Sequence, residues 1–235
     1  MSTTHNRFNA RSAKRLIPAP LKRALREAYA KRELHRAIDQ IKGLEPGIVP
    51  GPELLRRLQR GWANDGFAAT IEYLSEVAKF AATTSDPILE CGSGLTTILV
   101  GLLAGRRGIE MWSLEHIPEW RMRVSGLLER AGIRGPRLCL APLKNYGDFA
   151  WYDPPLGDMP KNFGLVICDG PPGDTPGGRY GLLPILGERL SKGSVILLDD
   201  ATRPGEAEVL RRWQAEAPIT ISLEKSQSFA VITHG

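Results

Sequence analysis

Four short apolar runs of this chain end in carboxylates. The first is Ile88-Leu89-Glu90-Cys91-Gly92-Ser93-Gly94, in which an acid precedes a Gly-x-Gly turn. The second ends at Glu115, and the last two end at Asp169 and at the pair Asp199 and Asp200. Open α/β sheets bind ligands at the carboxyl ends of their strands. Acids at such positions can attract a cation, accept hydrogen bonds from hydroxyl groups or transfer protons.

The Gly-x-Gly turn at Gly92 and Gly94 predicts a ligand that approaches the backbone closely, because glycine has no Cβ. By itself the turn is weak evidence, since helix caps use it too. Glu90 makes it more specific: a carboxylate there repels the pyrophosphate of a dinucleotide and favours a positively charged ligand. The third glycine or alanine of the dinucleotide fingerprint would fall at Thr97.

A second carboxylate, Glu115, ends the next apolar run, 23 residues after Gly92. A carboxylate at the end of the second strand can accept hydrogen bonds from both hydroxyls of a ribose. The alternative is an acid that simply faces solvent. Together with the Glu90 turn, Glu115 predicts a site for a positively charged nucleoside.

The elements that must position these residues alternate between strand and helix from residue 87 onward. The predicted strands are 87–90, 109–114, 137–140, 163–168 and 194–198, and the predicted helices are 95–104, 118–131, 180–190 and 205–216. Repeated βα units predict a parallel, doubly wound sheet with helices on both faces. Two final strands, 219–223 and 229–233, are too close for a helix and predict an antiparallel hairpin. The expected fold class is α/β, with a seven-stranded, mostly parallel sheet and an antiparallel last strand.

The N-terminal part differs in charge from the rest. Residues 1–60 hold 14 Lys and Arg against 5 Asp and Glu, whereas the remaining 175 residues hold 17 against 21. We predict a basic, partly disordered helical segment over 1–60 and a ligand-binding domain over 61–235. Residues 1–18 are expected to be disordered, and helices are expected over 19–42, from Pro52, and over about 66–82. The basic segment could meet an anionic substrate, a lipid surface or nucleic acid, or could be a solvated helix face.

The Glu90-x-Gly92-x-Gly94 turn and Glu115 resemble motifs I and II of class I methyltransferases that use S-adenosylmethionine (SAM), over roughly residues 85–235. That family has a seventh strand inserted antiparallel, like the predicted hairpin. The resemblance implies SAM as cofactor. It also implies a set of cofactor-binding residues: Glu90, Gly92, Gly94, Glu115, His116, Leu143 and Asp169.

The acids after the fourth and fifth main strands are similar to those of metal-dependent O-methyltransferases of the catechol and macrocin types. This resemblance implies that Asp169, Asp199 and Asp200 are catalytic and hold Mg²⁺ or another divalent cation, which would lower the pKa of the substrate hydroxyl. The alternatives are that Asp200 caps a turn and that Asp169 contacts only SAM. One departure is clear: catechol-type enzymes carry a lysine base where this chain has Pro172.

Four further residues are candidates for acceptor binding. Trp151 and Tyr152 could stack on a sugar or aromatic ring, although they could equally belong to the core. The loop from Asp169 to Arg179 and Tyr180 is similar to that of glucuronoxylan-type sugar O-methyltransferases. Under that likeness Arg179 would bind an acidic group of the acceptor, although it could instead only begin a helix.

The predicted function is methyl transfer from SAM to a hydroxyl of a small molecule or glycan. The alternatives are an RNA or protein methyltransferase that docks through the basic segment, a SAM- or nucleotide-binding module without activity, and a nicotinamide oxidoreductase. No RNA-binding signature is present, so nucleic acid is not the expected partner. No run of residues is apolar for long enough to span a bilayer, although the basic N-terminus could touch a membrane surface. Three cysteines without a CxxC pattern fit a reducing, cytoplasmic location.

Overall fold

The computed structural model describes residues 18–63, 69–223 and 227–235. The predicted disorder of residues 1–17 and the first residues, 66–68, of the helix predicted over about 66–82 lie outside these ranges. The seven helices of the described part are α1 (Ala19–Lys42), α2 (Pro52–Trp62), α3 (Ile71–Thr83), α4 (Leu95–Leu103), α5 (Pro118–Arg130), α6 (Leu182–Leu186) and α7 (Pro204–Glu216). The strands are β1 (Ile88–Cys91), β2 (Met111–Glu115), β3 (Pro136–Leu140), β4 (Leu143–Asn145), β5 (Ala150–Tyr152), β6 (Phe163–Cys168), β7 (Leu190–Leu198), β8 (Ile219–Ser222) and β9 (Ala230–His234).

The main sheet has seven strands in the order β3-β2-β1-β6-β7-β9-β8. The pairs β3–β2, β2–β1, β1–β6 and β6–β7 are parallel, whereas β9 is antiparallel to both of its neighbours. The last strand therefore inserts between β7 and β8, which confirms the predicted fold class.

Alternating side chains of the central strands pack on opposite faces of this sheet. Ile88, Leu165 and Leu197 pack on the face covered by α1 to α5. The neighbouring positions, represented by Leu89 and Val166, pack on the face covered by α6, α7 and the β4–β5 hairpin. Packing on both faces thus holds the strands in position, and the strands in turn position the residues at their carboxyl ends.

Helix α1 agrees with its predicted limits, and α2 begins at Pro52 as predicted. One prediction was wrong. The predicted helix over 180–190 is broken into a 3₁₀ turn at Gly178–Gly181, the short α6 and another 3₁₀ turn at Gly187–Arg189. Gly181, Pro184 and Gly187 disfavour a continuous helix there, because glycine is flexible and proline lacks the amide donor. The β4–β5 hairpin was not predicted.

No helix in the described ranges is both long and apolar enough to cross a membrane.

Candidate active site

The ends of β1, β6 and β7 are tied together by main-chain hydrogen bonds beyond the strands themselves. The Asp169 amide donates to the Cys91 carbonyl at 3.0 Å, and the Asp199 amide donates to the Cys168 carbonyl at 3.1 Å. Residues almost 80 positions apart in the chain therefore lie side by side at one edge of the sheet. This edge brings the glycine turn together with Asp169, Asp199 and Asp200, as the sequence predicted.

The two glycines of the turn have different surroundings. Gly92 has a φ of +90°, and a Cβ there would lie 3.2 Å from the Gly170 amide nitrogen. Gly94 has an extended φ of 176°, and a Cβ there would meet nothing within 4 Å. Gly92 thus allows the β1 and β6 loops to pack closely, whereas Gly94 borders open space at the N-terminus of α4. The space beside Gly94 is where a ligand can approach the backbone.

Glu90 is completely buried below this turn. Its carboxylate accepts hydrogen bonds from the hydroxyls of Thr96 at 2.6 Å, Thr97 at 2.6 Å and Ser113 at 2.5 Å. Burial raises the pKa of Glu90 to about 7, and the three hydroxyls oppose that rise. Both oxygens of Glu90 are engaged by the protein, so this carboxylate ties the first turn of α4 to β1 and β2.

Glu115 ends β2 next to the same turn and is 3% exposed. One carboxylate oxygen accepts from the Ser93 hydroxyl at 2.7 Å and the Ser93 amide at 3.1 Å, and the other accepts from the Ile117 amide at 2.9 Å. This carboxylate lies where the sequence predicted an acceptor for ribose hydroxyls, and Ser93 is the polar group nearest to it.

The buried hydroxyl of Tyr152 has no hydrogen-bond partner among the described residues, whereas His116 Nδ1 lies 3.3 Å from a Glu115 carboxylate oxygen without hydrogen-bond geometry. The His116 and Tyr152 rings are 6.0 Å apart, and a Cβ at Gly170 would collide with the Tyr152 hydroxyl. The Tyr152 hydroxyl therefore lies beside Gly170, which itself packs against Gly92. Leu143, the other predicted contact of the adenine, pairs with Tyr152 across the β4–β5 hairpin. Buried polar groups ordinarily have partners, so this set fits a nucleoside ligand with several polar groups.

Asp169, Asp199 and Asp200 converge, with one carboxylate oxygen from each lying within 4.8 Å of the others. The guanidinium of Arg179 lies among them. Its Nη2 is 3.1 Å from an Asp169 oxygen and 3.3 Å from an Asp200 oxygen, while Nη1 donates to the main-chain carbonyl of Asp199. The Arg179 side chain is only 3% exposed. A cation from this chain therefore already neutralises part of the cluster.

The pKa of Asp169 is raised to about 7, first by burial and then by the charges of Asp199 and Asp200, while Arg179 opposes the rise. Burial also raises the pKa of Asp199, against a hydrogen bond from the Asp200 amide. A carboxyl group that exchanges its proton near neutral pH is suited to general base catalysis.

The four residues predicted to bind the acceptor lie in the interior of the protein. Trp151 and Tyr152 have no exposed surface, so neither ring presents a face on which an acceptor could stack. Tyr180 is 6% exposed, and its hydroxyl donates to Glu216 on α7 at 2.6 Å. Arg179 is engaged by the acids of the cluster and is not free to bind an acceptor. The sequence does not show that these residues pack on the face of the sheet covered by α6, α7 and the β4–β5 hairpin.

Several residues of the site were missed from the sequence. Thr96 and Ser113 hold Glu90, Ser93 contacts Glu115, and the buried Glu206 of α7 lies 3.8 Å from Nη1 of Arg179. The adjacent threonines in the first turn of α4 were a usable signal, because hydroxyls at this position often bind nearby polar groups. Nothing in the sequence pattern pointed to Glu206.

We expect Arg179→Met to lower the free energy of unfolding by about 3 kcal/mol, because the change leaves a partly buried group of acids, including the buried Glu206, without its cation. Urea unfolding at neutral pH measures the effect. Arg211→Met is the matched control, since Arg211 is exposed and pairs only with Glu208 on its own helix. Equal stability of the two variants would mean that Arg179 does not hold the cluster together.

The strand order, the antiparallel seventh strand and the glycine turn at the end of β1 together define the class I methyltransferase fold. No family model and no curated protein sequence matches the chain. Among solved structures, the SAH-bound methyltransferase PaMTH1 of Podospora anserina aligns over 99% of this chain and 99% of its own, with 16% identity and a TM-score of 0.55.

Two other solved structures are similar. The O-methyltransferase from Bacillus cereus, in complex with SAH, aligns over 80% of this chain and 93% of its own, with 13% identity and a TM-score of 0.52. The METTL16 MTase domain aligns over 79% of this chain and 80% of its own, with 12% identity and a TM-score of 0.51. At these identities the likeness establishes the shared fold.

Proposed function

We propose that this protein is a SAM-dependent methyltransferase that transfers a methyl group to a hydroxyl of a small molecule or glycan. The observation that carries the proposal is the hydrogen bond between the Asp169 amide and the Cys91 carbonyl. It fixes an acid with a pKa of about 7 next to the glycine turn. A group able to accept a hydroxyl proton therefore lies beside the space that the cofactor would enter.

SAM would supply an electrophilic methyl group bonded to a positively charged sulfur. Gly94 leaves room for the cofactor against the backbone of α4, and Glu115 would accept hydrogen bonds from its ribose. The His116 side chain, which is 20% exposed, would supply a further polar contact. SAH is the product that remains after methyl transfer, and two of the similar structures contain it.

Asp169 is assigned the role of base. Its carboxylate accepts the proton of the acceptor hydroxyl while that oxygen forms its bond to the methyl carbon. The bond from that carbon to sulfur breaks, and the proton stays on Asp169 until it passes to solvent. Arg179 and the main-chain bond to Cys91 hold this carboxylate in place, so much of the acceleration comes from orientation.

We also propose that Arg179, and not a divalent ion, is the resident cation of this cluster. Asp169, Asp199 and Asp200 have the oxygen ligands and the spacing that Mg²⁺ requires. An ion held by all three would, however, lie within a few ångströms of a guanidinium that binds two of the same side chains, and like charges at that distance repel. The divalent ion that the sequence suggested could bind the three aspartates only if the Arg179 guanidinium moved away.

Chelation tests this assignment. We expect turnover to persist, within about twofold, after dialysis against excess EDTA, because no step of the proposed reaction needs a Lewis acid. The control is addition of Mg²⁺, which is expected to leave the rate unchanged. Loss of turnover in EDTA, with recovery on addition of a divalent ion, would show that the reaction requires a bound metal ion.

The proposed function is tested by incubating the protein with methyl-labelled SAM and an extract that contains glycans, lipids and small metabolites. Transfer of label to a hydroxyl, located by the mass and linkage of the product, is the expected result. Label on a nitrogen or carbon atom would reject O-methylation, and stable SAM binding without transfer to any acceptor would favour a binding module. Binding of NAD in place of SAM would indicate an oxidoreductase.

An RNA or protein substrate is the second candidate, and the excess of basic residues over 1–60 is the observation that favours it. Binding of RNA that weakens steeply with salt, together with labelling of RNA, would support this reading. Labelling that is restricted to small molecules or glycans would remove it.

A further inference from the structure

Helix α1 presents apolar side chains on two opposite sides. In its C-terminal half, Leu34, Ile38 and Ile41 are buried in the core shared with α2 and α4. In its N-terminal half, Leu21, Leu25 and Tyr29 are spaced four residues apart and are 51%, 54% and 66% exposed. Side chains at this spacing lie along one face of a helix.

The exposed apolar face, defined as Leu21, Leu25 and Tyr29, points away from the body of the protein. Leu34 follows Leu25 by nine residues, which is about two and a half helical turns, so the two side chains lie on opposite sides of α1. Every residue from Ala19 to Tyr29 is exposed. The core that holds the second half of α1 therefore does not reach this face.

Basic residues surround the exposed apolar face. From Ala19 to Arg32 the helix has one acid, Glu27, and five basic residues: Lys22, Arg23, Arg26, Lys31 and Arg32. Glu27 is paired with Arg23 at 2.8 Å. The sequence before the helix adds four more basic residues and no acid. The N-terminal half of α1 thus combines an apolar stripe with a strong positive charge.

We propose that the N-terminal half of α1 docks on an anionic lipid surface. Apolar side chains enter the boundary between head groups and acyl chains while lysines and arginines meet the negative head groups, which is how amphipathic helices bind membranes. A second copy of this chain fits less well, because pairing this face with itself would bring two strongly basic helices together. RNA phosphates would contact the basic residues but would leave the exposed leucines without a partner.

Flotation with lipid vesicles tests the proposal on the full chain. We expect binding to vesicles that contain phosphatidylglycerol to exceed binding to pure phosphatidylcholine vesicles by about tenfold or more. Replacing Leu21, Leu25 and Tyr29 by glutamine is expected to reduce the binding at least about tenfold, with helix content unchanged because glutamine favours helices. The matched control is Met122→Gln on α5, where the replaced side chain is 61% exposed.

The contribution of charge is measured with Lys22, Arg23 and Arg26 replaced by glutamine, which is expected to reduce binding to anionic vesicles by a similar factor. Arg211→Gln, another exposed arginine, is expected to have no effect. Equal binding to neutral vesicles, or no flotation, would overturn the proposal. So would a dimer in light scattering that the Leu21, Leu25 and Tyr29 variant abolishes, or RNA binding that this variant loses, because each would give the face another occupant.

Discussion

Replacing Gly94 by valine is expected to weaken SAM binding by more than about 100-fold, equivalent to about 3 kcal/mol of binding free energy. The φ of Gly94 is 176°, which lies outside the left-handed range that favours glycine. A Cβ there meets no protein atom within 4 Å and projects into the open space beside the N-terminus of α4. The added side chain therefore competes with the ligand and leaves the core intact. Isothermal titration calorimetry with SAM, alongside thermal unfolding, measures both effects.

Two other glycines provide the controls for Gly94→Val. Gly157 is exposed and a Cβ there also meets nothing within 4 Å, so Gly157→Val is expected to bind SAM normally. Gly92→Val is also expected to lose SAM binding, but because the protein itself is destabilised. Gly92 has a φ of +90° and contacts Gly170, so valine at this position is expected to lower the melting temperature. Normal SAM binding by Gly94→Val would place the cofactor elsewhere.

Asp169→Asn is expected to reduce turnover by about 100- to 10,000-fold, the range for removal of a general base. The amide keeps the size of the side chain and can still contact Arg179, but it cannot accept the hydroxyl proton. SAM binding is expected to change little, because Gly94 and Glu115 remain. The rate is measured on the acceptor identified by labelling, and SAM affinity is measured by calorimetry.

The pH dependence of the wild-type rate gives an independent check on Asp169. Its pKa of about 7 lies above the ordinary value for an aspartate, so the carboxyl is mostly protonated at pH 6 and mostly ionised at pH 8. Turnover should therefore rise with pH through about 7 and level off above it. Asp153→Asn is the control, since Asp153 is exposed and pairs with Lys144. If Asp169→Asn keeps near-normal turnover, the base is another group.

Much of the fold was predictable from local patterns. Mostly apolar runs of four to six residues followed by periodic helices predicted the parallel strands, because strands buried on both faces need continuous apolar sequence. The closing hairpin was predictable since seven residues between β8 and β9 leave no space for a crossover helix. The β4–β5 hairpin was not, because its strands are three residues long and carry no alternating pattern.

The sequence by itself determined where the carboxylates lie, because each of them is at or just beyond the carboxyl end of an apolar strand and parallel strands end at one edge of a sheet. Only the tertiary structure decided which partners these carboxylates have. Glu90 is enclosed by hydroxyls, Trp151 is turned into the core, and Arg179 returns from a glycine-rich loop to neutralise Asp169 and Asp200. Strand positions follow from hydrophobic periodicity, whereas the path of an irregular loop depends on packing against residues distant in the chain.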